Sequence, residues 1–320
     1  MSAGGRTATC QGGGASSPSS PGARAGDAGA PRGRVGGTEP RGRIRPNSNY
    51  GRVTSIALDP VEKKPLALWR PGSYVLSVGS YGCNLRCPFC QNWQISQAGP
   101  EDVPWRYVSP EELVDLALEE RSQDGRVVGI AYTYNEPLVG WEYVRDCARL
   151  ARERGLANVL VSNGHTSDAV LDELAPLVDA ANIDLKAFDE PTGSRGPQAT
   201  AETRGPSAPV MADPRRASRL YTLCGGSQRR AMRTIERLAA EPGCHLEVTT
   251  LVIPGLNDAP EQMDAEAAWL ASVNPGLTLH VTRFFPRWRM QDVPPTPVET
   301  VRSLAGVARR HLAHVYVGNC

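Results

Sequence analysis

A chain of 320 residues is long enough for one large α/β barrel or for two ordinary domains. Its net charge of +1 and its 22% content of charged residues give no electrostatic reason to expect nucleic-acid binding or an anionic membrane partner. No apolar run approaches the ~20 residues that span a bilayer, and the start lacks the apolar segment of a secretory signal. Eight cysteines, three of them on one short loop, favour a reducing compartment, so we expect a cytoplasmic protein.

The first 46 residues differ in composition from the rest of the chain. They consist largely of Gly, Ala, Ser, Pro and Arg, with almost no large apolar side chain. Such a segment cannot bury enough surface to offset the entropy that it loses on ordering. We therefore predict a disordered low-complexity tail over 1–46 and a folded domain over 47–320.

Strand-like and helix-like segments alternate through this predicted domain. Short apolar runs predict strands at 53–58, 73–78, 127–133, 158–162, 180–186, 245–253, 277–282 and 315–317. Apolar periodicity and capping residues predict helices at 109–123, 138–154, 167–178, 227–240, 259–273 and 298–314. Repeated βα units with nearly continuous apolar strands indicate a parallel sheet covered by helices. About six such units predict a partial, TIM-like (β/α)6 barrel of the α/β class.

Residues 188–220 interrupt the alternation. They are rich in Pro, Gly, Ser, Thr and Arg and lack the apolar periodicity of a helix or a strand. We interpret this segment as a mobile insertion or long loop.

Three cysteines, Cys83, Cys87 and Cys90, follow the first apolar strand of the predicted parallel sheet. Three thiolates on one tight loop can hold three irons of a [4Fe–4S] cube, because soft sulfur ligands suit iron–sulfur clusters. The fourth iron then has no protein ligand and is open to a small molecule. The spacing Cys-x3-Cys-x-aromatic-Cys resembles the signature of radical S-adenosylmethionine (SAM) enzymes.

Other interpretations of these cysteines remain open. Cys87 and Cys90 alone have the C-x-x-C spacing of a thioredoxin-like thiol oxidoreductase. A structural zinc site needs four ligands, and no second C-x-x-C or H-x3-H pair follows. The three thiols with a fourth ligand such as Cys224 would make an iron–sulfur electron carrier or redox sensor that does not cleave SAM.

Polar segments at successive strand ends make the resemblance more specific. The cysteine loop is followed by T-Y-N-E-P, S-N-G, N-I-D-L-K, T-T-L-V-I-P-G-L-N-D and R-F-F-P, in that order. The set resembles the radical SAM enzymes of the AmmeMemoRadiSam system, which are similar to pyruvate formate-lyase activating enzymes. This resemblance covers the chain from about residue 50 onward, apart from 188–220. It implies a (β/α)6 partial barrel, a [4Fe–4S] cluster and SAM.

The resemblance also implies roles for individual residues. Cys83, Cys87 and Cys90 would ligate the cluster, and Phe89 would lie against the adenine of SAM. Asn135 and Glu136 would lie near the amino group of SAM, and Ser162 and Asn163 near its ribose and methionine portion. Asp184 and Lys186 would lie near its carboxylate, and His280 would also contact SAM.

Taken without the resemblance, some of these residues have simpler interpretations. An Asp-x-Lys pair at a strand end is often a surface ion pair, and a single histidine on a strand is often a packed, hydrogen-bonded core residue.

The activity implied by the resemblance is that of an oxidoreductase. Such an enzyme takes one electron from a flavodoxin-type or ferredoxin-type donor and cleaves SAM to methionine and a 5′-deoxyadenosyl radical. The radical abstracts a hydrogen atom from the substrate. The substrate implied is a backbone glycine of a partner protein, as in the activating enzymes, or else a small molecule, and analogy of fold alone does not choose between them.

Overall fold

The computed structural model describes residues 49–188 and 216–320, which all belong to one compact unit. Its strands are β1 (Arg52–Val53), β2 (Ser55–Pro60), β3 (Tyr74–Gly79), β4 (Arg106–Tyr107), β5 (Val127–Tyr132), β6 (Ala157–Ser162), β7 (Ala180–Asp184), β8 (His245–Val252), β9 (Thr278–Arg283) and β10 (His314–Gly318). Its α-helices are α1 (Trp93–Ser96), α2 (Pro110–Gln123), α3 (Trp141–Glu153), α4 (Asp168–Leu174), α5 (Arg216–Cys224), α6 (Gln228–Ala239), α7 (Pro260–Val273) and α8 (Val298–Ala308).

Eight of these strands form one sheet in the order β10-β9-β8-β7-β6-β5-β3-β2. Neighbouring strands are parallel throughout, except that β2 pairs antiparallel with β3 at one edge. The sheet has two edges, β10 and β2, as an open partial barrel does. The predicted α/β partial barrel is confirmed, and β2 and β10 extend the six-stranded parallel core that the sequence predicts.

The central strands of the sheet are buried on both faces, which explains their nearly continuous apolar sequences. In β3, five of six residues are buried, and in β7 four of five are buried. Gly129 allows a close approach between β5 and β6, because a Cβ atom there would lie 2.0 Å from the Ala157 carbonyl oxygen. The register of this pair aligns the carboxyl ends of the two strands, and both ends contribute polar residues to the same cavity.

Helix α2 begins where its sequence predicts. The Ser109 hydroxyl accepts a hydrogen bond from the Glu112 amide, Pro110 occupies the first helical position, and the first turn is acidic. Each of these features stabilises a helix N-terminus. The buried face of the helix, which includes Leu113, packs in the core.

The last predicted helix, 298–314, is wrong at its C-terminal end. Helix α8 stops at Ala308, the chain turns over residues 309–312, and His314–Gly318 pairs with β9 as a strand. Leu312 and Val315 continue the helical spacing of the buried α8 residue Ala308, which is why the pattern predicts a longer helix. In the structure both are still buried, Leu312 from the turn and Val315 from the strand.

The predicted insertion also needs correction at its end. Residues 216–220 belong to α5, whose side chains Leu220, Tyr221 and Cys224 are buried at helical spacing. The remainder of the predicted insertion, 189–215, and the predicted disordered tail lie outside the described residues.

Within the two described ranges, no helix is both long and apolar enough to cross a bilayer.

A buried acid, Glu266, joins α7 to the sheet. Its side chain is 2% exposed and accepts a short hydrogen bond from the Thr250 hydroxyl on β8. Burial raises the pKa of this carboxyl to about 8, and the Thr250 hydrogen bond opposes the shift only in part. The carboxyl is therefore protonated in the folded protein at neutral pH.

This burial predicts a pH dependence of stability. Between about pH 5 and pH 8 the unfolded chain has lost the Glu266 proton and the folded protein has kept it, so stability falls as pH rises. Glu266→Gln should reduce that slope by up to about 1.4 kcal/mol per pH unit. Urea denaturation across this range measures it, with the exposed Glu119→Gln as control. An unchanged slope in Glu266→Gln would contradict the assignment.

Candidate active site

A cavity of about 340 Å³ opens at the carboxyl edge of the parallel strands. Its walls come from the loops that follow β3, β5, β6 and β7, together with residues of β8, β9 and the C-terminal segment. Ten of the eleven predicted site residues line it: Cys83, Cys87, Phe89, Cys90, Asn135, Glu136, Ser162, Asn163, Asp184 and Lys186. Residues that are up to 103 positions apart in sequence therefore share one chamber, as the topology of a parallel sheet predicts.

The cysteine loop is held in place by hydrogen bonds to its own backbone and sulfur atoms. The Leu85 amide donates to the Cys83 Sγ at 3.3 Å, and the Cys90 amide donates to the Cys87 carbonyl at 3.1 Å. On α1, the Ser96 hydroxyl lies 3.2 Å from the Cys90 Sγ. The three thiols line the same cavity, and each is partly exposed.

The arrangement of the thiols differs from that of a single-ion site. In the described part of the chain, no three His, Cys, Asp or Glu side chains converge closely enough to hold one metal ion. A tetrahedral zinc site needs such convergence, whereas a cube presents a separate iron to each thiolate. The donor set of three soft sulfurs around one cavity therefore fits a cluster.

Asn135 fixes the entry to the cysteine loop. Its Oδ1 accepts from the Ser80 amide at 2.9 Å, and its Nδ2 donates to the Tyr81 and Gly82 carbonyls at 3.2 and 3.0 Å. These residues lie immediately before Cys83. The structure thus gives Asn135 a positioning role, with its side-chain polar atoms occupied by backbone groups.

Glu136 joins the ends of β5 and β6. Its carboxylate accepts from the Leu138 amide at 3.0 Å, from the Ser162 hydroxyl at 2.7 Å and from the Asn163 amide at 2.8 Å. Burial raises the pKa of this carboxyl to about 7, although the three donors oppose the shift. One buried side chain therefore orients the whole turn that follows β6.

Asn163 links the turn after β6 to the cysteine loop. Its Nδ2 donates to Asn84 Oδ1 at 2.8 Å and lies 3.6 Å from the Cys83 Sγ. Asn84 in turn donates to the His165 carbonyl at 2.6 Å. Glu136, Asn163 and Asn84 thus form a chain of contacts from β5 to the first cysteine.

Lys186 provides a cation to the cavity. Its Nζ lies 2.9 Å from Asp184 Oδ2 and 5.9 Å from the centre of the Phe89 ring. Burial disfavours the ammonium, but the attraction of Asp184 and of the Cys87 and Cys224 thiols outweighs it and raises the pKa of Lys186. The side chain is only 12% exposed, so this pair is part of the cavity wall and is not a solvated surface pair.

Cys224 lies behind the cysteine loop, outside the lining of the cavity. It is fully buried at the end of α5, its carbonyl accepts from the Arg86 amide at 2.8 Å, and its thiol donates a hydrogen bond to Cys87. That hydrogen bond, with help from the Lys186 ammonium, lowers the pKa of the Cys87 thiol although burial opposes the shift. Cys224 therefore contacts one predicted ligand without lining the cavity.

His280 is the one predicted site residue that does not line the cavity. It is buried in β9, where its Nε2 lies 2.5 Å from Glu247 and its ring stacks on Tyr316. Glu247 also pairs with His245 and accepts from the Ala67 and Leu68 amides. His280 thus has the packed, hydrogen-bonded environment of a core histidine, and we do not assign it a SAM contact.

Three site residues have no role in the sequence prediction: Asn84, Ser96 and His165. His165 donates through Nδ1 to the Asn163 carbonyl and accepts from the Ser227 amide through Nε2, which joins the β6 turn to the start of α6. Asn84 sits within the cysteine motif, so its position is a signal available from the sequence. Ser96 and His165 are placed by tertiary contacts that no spacing indicates.

A comparison with protein families identifies the chain. Residues 77–267 match the model of the radical SAM superfamily. The chain belongs to the radical SAM superfamily. The match includes the cysteine loop and the strand ends after β5, β6 and β7, which together form most of the cavity wall.

Relatives and solved structures agree with this membership. An uncharacterized protein of Methanocaldococcus jannaschii is 35% identical over 272 residues, 84% of this chain and 71% of the relative. The pyruvate formate-lyase 1-activating enzyme of Escherichia coli is 29% identical over 115 residues, 34% of this chain and 44% of that enzyme. Streptococcus suis SuiB bound to S-adenosylmethionine has a similar fold, with a TM-score of 0.53 and 11% identity over 77% of this chain and 52% of SuiB.

Membership of this superfamily establishes a [4Fe–4S] cluster and SAM as cofactors. The residues present fit both groups. Cys83, Cys87 and Cys90 supply soft ligands around one cavity, and the described side chains that line it add no fourth cysteine. Lys186 and Phe89 add a cation and an aromatic ring, which suit a carboxylate and an adenine.

The Glu136 contacts generate a prediction about stability. Glu136→Ala removes the acceptor of two buried amides and one hydroxyl, so the free energy of unfolding should fall by about 3 kcal/mol. Anaerobic urea denaturation measures the change. Glu142→Ala, at an exposed position on α3, is the matched control and should stay within about 0.5 kcal/mol of the unchanged protein. A loss of that smaller size in Glu136→Ala would contradict the proposed role.

Proposed function

We propose that this protein is a SAM-cleaving oxidoreductase that abstracts a hydrogen atom from a backbone glycine of a partner protein. The observation that carries the proposal is the chamber in which three thiols of one loop face Lys186, with no fourth cysteine among the described residues that line it. A fourth protein ligand would leave no place for SAM at the cluster. When bound, the cluster and SAM together supply the one-electron chemistry that yields methionine and a 5′-deoxyadenosyl radical.

The residues of the chain bind, orient and shield these groups. In our proposed arrangement Lys186 would neutralise the SAM carboxylate, and Phe89 would lie against the adenine. The Ser162 hydroxyl and Asn163 stand at the end of β6 near Cys83, where the ribose and methionine portion would lie. The polar atoms of Asn135 and Glu136 are occupied by protein groups, so we assign them to positioning the loop rather than to contacting SAM.

A cysteine series tests the cluster assignment. After anaerobic reconstitution, the unchanged protein should contain about four iron and four sulfide per chain. Cys83→Ala, Cys87→Ala and Cys90→Ala should each lose most of that iron, because each removes a ligand. Cys224→Ala should retain it, because Cys224 lies outside the cavity lining. Cys320→Ala, at an exposed position, is the control. The unchanged protein should then form 5′-deoxyadenosine when SAM and dithionite are added.

Each rival function predicts a different outcome of the same series. An electron carrier with four cysteine ligands would lose iron in Cys224→Ala and would form no 5′-deoxyadenosine. A thiol oxidoreductase would contain no cluster, and its activity would survive in Cys83→Ala because it needs only Cys87 and Cys90.

The choice of a glycine of a partner protein as substrate has two supports. The E. coli relative is by name an activating enzyme of another protein, pyruvate formate-lyase. In addition, the sheet that the described residues form ends at β2 and β10 without closing, and its cavity opens at the carboxyl edge of the strands. An open chamber of this kind suits a loop of a second protein better than a sealed pocket would.

Deuterium transfer tests the substrate class. Cells of the source organism are grown on α-deuterated glycine and extracted. Ultrafiltration then separates the extract into a macromolecular fraction and a small-molecule fraction. Incubation of the reduced, SAM-loaded enzyme with the macromolecular fraction should place deuterium in 5′-deoxyadenosine, as mass spectrometry detects. Label that comes only from the small-molecule fraction would establish the other substrate class. Digestion of the macromolecular fraction with a protease should abolish the transfer.

A further inference from the structure

A surface next to the cysteine loop has no role in the site described above. It consists of Trp93, Arg287, Trp288 and Arg289, which we call the Trp–Arg patch. Trp93 begins α1, three residues after Cys90, and Arg287–Arg289 lie on the loop after β9. The two indole rings stack with centroids 5.9 Å apart and planes 7° apart. The Arg289 guanidinium lies 4.4 Å from the centre of the Trp288 ring.

The patch contacts the cysteine loop directly. The Arg289 amide donates to the Pro88 carbonyl at 3.0 Å, between Cys87 and Cys90. None of the four patch residues lines the cavity. A molecule bound to the patch would therefore contact the loop that holds the cluster without entering the chamber where SAM and substrate react.

The charge of the patch is not balanced within the described residues. Arginines elsewhere on the described surface form ion pairs with carboxylates, as Arg149 on α3 does with Glu173 and Arg310, just after α8, does with Asp264. Arg287 and Arg289 are both exposed, and neither forms an ion pair with a described carboxylate. Two exposed cations beside a 38% exposed indole complement the charge of an anionic partner.

The composition of the patch favours a protein as that partner. Tryptophan and arginine are the residue types enriched in the energetically dominant centres of protein interfaces. The small area of the patch is also typical of complexes between electron-transfer proteins, which bury less surface than stable complexes do.

From this geometry we propose that the Trp–Arg patch is the docking surface of an acidic one-electron carrier protein, which delivers its electron through the Cys87–Cys90 segment. The proposal rests on the proposed function, because only a cluster that must be reduced needs such a donor. Its balance is simple: the carrier loses one electron, the oxidised cluster gains it, and no bond forms or breaks.

The test measures the rate at which a reduced acidic flavodoxin reduces the cluster of the reconstituted protein, followed optically and by EPR. Arg287→Glu/Arg289→Glu should lower this rate at least about tenfold at low ionic strength, and added salt should slow the unchanged protein toward the same value. Reduction by dithionite, a small molecule, should be equal in both. Arg287→Gln/Arg289→Gln should give an intermediate rate.

The matched control reverses charge at the opposite end of the sheet. Arg70 precedes β3, is exposed and lies over the Trp69 ring, as Arg289 lies over Trp288. Arg121 lies near the end of α2, the end that leads into β5. Arg70→Glu/Arg121→Glu changes the net charge equally and should leave the flavodoxin rate unchanged.

The outcomes separate this proposal from the proposed function. An unaltered flavodoxin rate in Arg287→Glu/Arg289→Glu overturns the docking surface, as does an equal loss in the control variant. A loss of dithionite reduction in the patch variant also overturns it, because the patch would then serve the cluster loop itself. Absence of 5′-deoxyadenosine from the unchanged, fully reduced protein refutes the proposed function and leaves the measured reduction rates to decide on docking.

Discussion

The buried carboxyl of Glu136 is the contact on which the geometry of the site depends. It lies where β5 ends and accepts hydrogen bonds from both residues at the end of β6, Ser162 and Asn163. Asn163 then reaches Asn84 and the Cys83 sulfur. The parallel sheet brings two strand ends together, and this single side chain fixes their relative orientation. The cysteine loop therefore rests on the sheet itself rather than on flexible segments.

Two different supports hold the cysteine loop on its two sides. Asn135 and the β6 turn hold the side toward the sheet, where they orient the residues around Cys83. Cys224 and the loop after β9 hold the outer side, through the Arg86 amide and the Pro88 carbonyl. Preorganisation of this kind lets three thiols accept a cluster without a large loss of backbone entropy. The residues that contact the loop also divide into those that line the chamber and those of the Trp–Arg patch, which do not line it.

That division gives a physical account of how one cluster can serve two partners. The chamber is partly enclosed and has both apolar and polar walls, with the Lys186–Asp184 pair among the polar groups, and it suits SAM and a substrate. The Trp–Arg patch carries two arginines that form no ion pair with a described carboxylate, and it suits an acidic carrier. Electron entry at the patch would then involve residues that do not line the chamber in which hydrogen abstraction takes place.

The sequence by itself determined the radical SAM motif, the α/β class and ten residues of the chamber, because thiol spacing and strand-end position are local properties of the chain. It did not determine that α8 ends at Ala308, because Leu312 and Val315 have a spacing that also fits a continued helix. The pairing of His314–Gly318 with β9 decides that end. The place of His280 in a pair with Glu247, and that of Cys224 behind Cys87, likewise depend on contacts between distant segments. Only the tertiary structure separates residues that line the chamber from those that support it, because both kinds follow strands of the same apolar pattern.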